Sequence, residues 1–153
     1  MAIITRKVKT IDYTVDGPQA RVALPRQHFY MRLRFKVTLG TLTGGASPAF
    51  TATAKDDLIQ RLELVIGGQL TVRNLSFQDL RKLNLLTYKD TTPSSGFAYM
   101  DLGFLPSFLF TSLDLIVTFA QLSTVTTGNP TSTSGTKVDL FAREQVNVGQ
   151  KPA

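Results

Sequence analysis

At 153 residues, with 42% hydrophobic and 18% charged side chains, the chain has the length of one domain and enough apolar residues to build a core without covalent staples. It holds no cysteine, which excludes disulfides, cysteine-bound zinc, iron–sulfur clusters and thiol nucleophiles. The net charge is +6, and the whole excess lies in residues 1–36, where Arg6, Lys7, Lys9, Arg21, Arg26, Arg32, Arg34 and Lys36 face only Asp12 and Asp16.

That asymmetry predicts one electropositive surface. The low charged fraction, where about 25% is usual for soluble domains, suits either a protein that buries much of its outside against neighbours or a domain in which Ser and Thr replace charge as the polar component. Residues 1–9 are interrupted by Arg6, Lys7 and Lys9 and do not read as a secretory signal. The apolar clusters at 62–66 and 113–120 fall far short of the ~20 residues that cross a bilayer as a helix.

Strand signals dominate the chain. Residues 3–15 are rich in β-branched side chains and run into Asp16-Gly17-Pro18, a turn. A short extended piece at 21–24 precedes Pro25. Met31, Leu33, Phe35, Val37 and Leu39 then alternate with Arg32, Arg34, Lys36 and Thr38, the period of a strand with one dry and one wet face. A polar loop is expected at 40–48. The next strand is 58–66, with Leu62, Leu64 and Ile66 on its core side. Gly67-Gly68 supplies the positive φ angles of a tight hairpin, and 70–73 returns. One short helix is expected near 77–86, capped by Ser76 with Asp79 three residues on, and with Phe77, Leu80, Leu83 and Leu86 on its apolar side.

Strands resume at 97–105, ending at Pro106, and at 113–120, where Leu113, Leu115, Val117 and Phe119 alternate. Residues 123–136 are crowded with Ser and Thr and read as an exposed loop. The last strand is 137–148, and 149–153 is a short C-terminal tail. About eight strands, one helix and polar loops predict an all-β, antiparallel sandwich or barrel in one domain spanning 1–153.

The residues offer no catalytic constellation. His28 is the one histidine and has no spaced partner. Asp56 and Asp57 are adjacent, which on a strand points them to opposite faces. Gly44-Gly45 and Gly67-Gly68 lack a phosphate-loop context. No enzyme activity, metal or cofactor is expected.

The basic residues remain. Arg32, Arg34 and Lys36 share one strand face at about 6.6 Å spacing, either as a solvated face or as a binding surface. Phe35 lies on the opposite, dry face, away from any base that would stack. Arg6, Lys7 and Lys9 belong to a basic N-terminal segment, about 1–15. It is either an arm reaching a neighbour, nucleic acid or anionic membrane, or an edge strand of its own sheet. A small binding module for nucleic acid or carbohydrate is the alternative function, although the chain has no Trp to line a sugar site.

The order of elements adds a resemblance. Leu24-Pro25-Arg26 and the strand at 29–39 are followed by Asp57-Leu58-Ile59. Then come Leu62 through Gly68, a short strand, and Arg73-Asn74-Leu75-Ser76 opening a helix through Leu83-Asn84. This pattern resembles jelly-roll coat proteins of icosahedral viruses, in flavour closest to the upright-barrel coat proteins of tailless phages with an internal membrane. The resemblance implies eight strands in two four-stranded sheets and a role in the virion capsid without a catalytic site. It also implies assembly with copies of itself and other capsid proteins, and an N-terminal segment that ties subunits together or meets nucleic acid or membrane beneath the shell.

Overall fold

The computed structural model describes residues 2–15, 19–89 and 96–146. The expected turn at 16–18 and tail at 149–153 lie outside them. In chain order the elements are β1 (Ile3–Asp12), β2 (Gln19–Ala23), β3 (Phe29–Thr38), β4 (Thr41–Thr43), β5 (Ala49–Phe50), α1 (Ala54–Asp57), β6 (Ile59–Ile66) and β7 (Leu70–Leu75). They continue with α2 (Phe77–Tyr88), β8 (Phe97–Pro106), a 3-10 turn (Ser107–Leu109), β9 (Leu113–Phe119), α3 (Leu122–Val125), β10 (Thr126–Thr127), β11 (Ser132–Ser134) and β12 (Lys137–Gln145).

Eight of these strands form two antiparallel four-stranded sheets, ordered β1-β12-β3-β8 and β2-β9-β6-β7. Four of their six pairings join strands placed symmetrically about the middle of the chain: β1 with β12, β2 with β9, β3 with β8, and β6 with β7. The chain is thus one long antiparallel ribbon rolled so that successive pairs fall in alternate sheets, which is a jelly roll. Gly67 and Gly68, at φ 61° and 74°, form the tip of that ribbon.

The core lies between the sheets. Leu33, Phe35 and Val37 of β3 meet Leu62 and Leu64 of β6, Leu115, Val117 and Phe119 of β9, and Val138 and Leu140 of β12, all buried. Two expected core residues differ. Met31 sits at a β-bulge between Tyr30 and Arg32 that appears in the register with both β8 and β12. The extra residue shifts the parity, so Tyr30, fully buried, takes the inner position while Met31 is half-exposed. Ile66 is only partly covered, because it ends β6 beside the hairpin.

The helix begins as its cap predicts: the Asp79 backbone N–H donates to the Ser76 hydroxyl at 3.1 Å. It runs to Tyr88, two residues beyond the expected end, and its buried residues are Phe77, Leu80 and Asn84. Leu83 and Leu86 were expected on the covered side and are instead exposed. Asn84 wins that side because it completes a sheet edge. Its amide donates to the Tyr99 carbonyl at 2.8 Å and accepts from the Tyr99 N–H at 2.7 Å. Arg81 adds a bond to the Phe97 carbonyl at 2.7 Å. Side chains of α2 therefore satisfy the outer edge of β8, which would otherwise be open for another strand.

The Ser- and Thr-rich stretch at 123–136 also departs from expectation. It is built: α3 buries Leu122 and Val125, β10 pairs with β5, and β11 pairs with β4. Its polar residues find partners inside the molecule, as when the Thr133 hydroxyl donates to the Thr41 carbonyl at 3.0 Å. The polar loop expected at 40–48 contains β4 and supplies that pairing.

Candidate functional site

The outer face of the β1-β12-β3-β8 sheet collects Lys7, Arg32, Arg34 and Lys36, half of the eight basic residues at 1–36, whereas Arg21 lies on the other sheet, 2.8 Å from Asp114. Alternation along β3 points Arg32, Arg34 and Lys36 away from the core, and register fixes their neighbours. Arg32 lies opposite Asp101 and Arg143, Arg34 opposite Tyr99 and Phe141, and Lys36 opposite Phe97 and Asp139. Cations and rings interleave. The Arg32 guanidinium lies 5.3 Å from the Tyr88 ring centre and 5.4 Å from that of Tyr99. Arg34 lies 4.7 Å from Phe97 and 5.4 Å from Phe141, and the Lys36 ammonium 5.8 Å from Phe97.

Sequence reading missed these rings because they come from β8, β12 and α2, far away in the chain. The period-two patterns Phe97-Tyr99-Asp101 and Lys137-Asp139-Phe141-Arg143 carry the information. Only the register shows that both flank β3.

Some cations on this face are neutralised. Asp101 lies 3.8 Å from Arg32 and accepts a hydrogen bond from the Tyr88 hydroxyl at 2.7 Å. Burial and the Asp101 carboxylate push the Tyr88 hydroxyl above the usual phenol range. Lys7 reaches Asp139 at 3.0 Å, and Thr10 donates to the same carboxylate at 2.7 Å. Burial opposes ionisation of Asp139, but the bonds from Thr10 and Lys7 outweigh it and hold the group below its ordinary value. Arg34, Lys36 and Arg143 have no carboxylate partner among the described residues.

The basic N-terminal segment is β1, the edge strand beside β12. Its three singled-out cations diverge. Lys7 joins the outer face. Lys9 stands exposed at a bulge, opposite Leu140. Arg6 turns inward: its Nε lies 2.7 Å and its Nη2 3.0 Å from the Glu144 carboxylate, whose side chain is fully buried. The Glu144 bond raises the Arg6 pKa above its ordinary value. Tyr30 lies in the same cluster, its hydroxyl donating to the Pro25 carbonyl at 2.5 Å and pushed far up by burial. Arg6 thus closes one end of the core and is not part of the outer face.

A second cleft, about 390 Å³, runs past Asp56, Asp57, Ser76, Gln78 and Gln121. Its carboxylates are engaged: Asp57 accepts from Thr53 at 2.6 Å and from Gln78, and Asp56 lies 3.5 Å from Arg81. His28 is half-buried just before β3, and Ser107 donates to its backbone carbonyl at 2.5 Å. Among the described residues no three potential metal-ligating side chains converge.

The rolled ribbon is a fold also found in viral capsid proteins. Among solved structures, the chain is similar to the major capsid protein of Sulfolobus Turreted Icosahedral Virus, with a TM-score of 0.71 and 18% identity over 95% of this chain and 49% of that one. A second structure of that virus gives a TM-score of 0.71 and 18% identity over 94% of this chain and 45% of that one. The major capsid protein P2 of bacteriophage PM2 gives 0.62 and 10% identity over 95% of this chain and 51% of that one. At these identities the likeness is one of fold, and the chain spans about half the length of each of these proteins. No family model matches the sequence, and no curated protein matches it.

Proposed function

We propose that the chain is a viral capsid protein: a jelly-roll subunit without catalytic activity that assembles with copies of itself and other capsid proteins into the icosahedral shell of a virion. The observation that carries this reading is the eight-strand ribbon, shared over 95% of the chain with a viral major capsid protein at a TM-score of 0.71. Surface chemistry supports it. Leu83, Leu85 and Leu86 are 51%, 44% and 80% exposed on α2, and clustered exposed leucines mark association surfaces. A neighbouring copy is the occupant this reading requires. The cations Lys7, Lys9, Arg32, Arg34 and Lys36 then face capsid neighbours, or nucleic acid or membrane beneath the shell.

Light scattering and negative-stain electron microscopy of purified protein test this. The native chain should form discrete oligomers or shells. Leu86→Glu, on an exposed site, should melt like the native chain and remain smaller. A native protein that stays monomeric at every concentration and salt tried would overturn the reading.

A further inference from the structure

Between β1, β12, β3 and β8 the outer sheet face holds a cavity of about 210 Å³. Arg32, Arg34 and Arg143 line it, together with Thr5, Tyr99 and Phe141, and no carboxylate does. Arg32 and Arg143 are direct cross-strand partners, and like charges in that position repel. Arg34 follows two residues along the same face. Its guanidinium is held between the rings of Phe97 and Phe141, which offer no acceptor. Its Nε is buried and has no hydrogen-bond partner, and leaving such a charged donor unsatisfied costs free energy. Of the three cations around this cavity only Arg32 has a carboxylate partner among the described residues, Asp101 at 3.8 Å, and the charges of Arg34 and Arg143 call for an anion.

We propose that this cavity binds a phosphate group. A free or terminal phosphate carries about −1.5 to −2 charge at neutral pH and three strong acceptor oxygens, one for each guanidinium. A carboxylate would leave half of the unpaired positive charge uncompensated. Guanidinium edges suit such oxyanions because their donors are planar and forked. The aromatic faces are already covered by the arginines, so nucleobases have no stacking platform here. Recognition is of the phosphate alone. This inference does not depend on the capsid reading.

Calorimetric titration of the full chain with inorganic phosphate, at ionic strength matched with chloride, tests it. Saturable binding is expected, and Arg34→Gln and Arg143→Gln should each weaken it about tenfold or more. Arg143 is exposed, so Arg143→Gln should melt as the native chain does in phosphate-free buffer, which separates lost binding from lost fold. Three further probes identify the source of the phosphate: a 5′-phosphorylated oligonucleotide, its 5′-hydroxyl twin, and vesicles containing phosphatidic acid. Preference for the phosphorylated over the hydroxyl oligonucleotide assigns a nucleic-acid end. Capture by the vesicles assigns a lipid headgroup, and inorganic phosphate binding tightest assigns the free ion. No saturable binding of any phosphate probe would overturn the proposal. So would binding unchanged in both variants, or acetate binding as tightly as phosphate.

Discussion

Arg6 and Lys7 are adjacent in sequence and go to opposite sides of the sheet. Arg6 enters the end of the core and meets the fully buried Glu144, while Lys7 stays outside and meets Asp139. The consequences for stability differ accordingly. Arg6→Ala strands a carboxylate in the interior and should cost about 3–5 kcal/mol, read from urea unfolding at neutral pH. A loss of less than about 1 kcal/mol would put the pair among solvent-exposed ion pairs. Asp139 acts through pH. Its folded pKa is lowered, so its contribution is present above the ordinary aspartate value of about 3.9. That contribution is lost as pH falls through the lower folded value. The difference in melting temperature between the native chain and Asp139→Asn should therefore be visible at pH 7 and close in acid. Because Lys7 is half-exposed, the difference should be small and shrink with salt. A gap that does not change with pH would mean that Asp139 acts through packing.

Among the elements, β1 carries the clearest test. It pairs with β12 from Ile3↔Gln145 to Asp12↔Lys137, so it is part of its own sheet and its charges guard that edge. Removing residues 1–9 should lower the melting temperature, because β12 loses its neighbour and Glu144 its cation. Unchanged melting with lost association would instead make the segment an arm. How well sequence revealed each element follows from what its pattern depends on. β3 was legible wherever alternation held, and failed at Met31, where the bulge changes parity without any local signal. The start of α2 was legible from Ser76 and Asp79. Its buried side was not, because Asn84 is polar and earns its place only through the Tyr99 backbone, a partner invisible from the helix alone. Residues 123–136 looked like solvent-exposed loop because their threonines were counted as wet. Pairing with β4 and β5 gives them partners that composition does not show.

For the whole molecule, local reading found the strands and the Gly67-Gly68 tip but not which strands lie side by side. The aromatic half of the candidate site was hidden for the same reason. Arg32, Arg34 and Lys36 could be placed on one face from period alone, whereas Phe97, Tyr99 and Phe141 reach them only once the ribbon is rolled. That rolling also joins β1 to β12, strands far apart in sequence. Ile3 lies opposite Gln145, so β1 is held in place by β12, the described strand farthest from it in sequence. On a ribosome, β1 emerges before β12 and waits, unpaired, until β12 has cleared the exit tunnel. Among the described strand pairs, only β6–β7 joins neighbours in sequence. Closure of this sheet therefore follows the synthesis of all four of its strands, set by long loop closures and slow relative to helical folds of the same length. During synthesis the exposed length of β1 is open to mispairing with another copy.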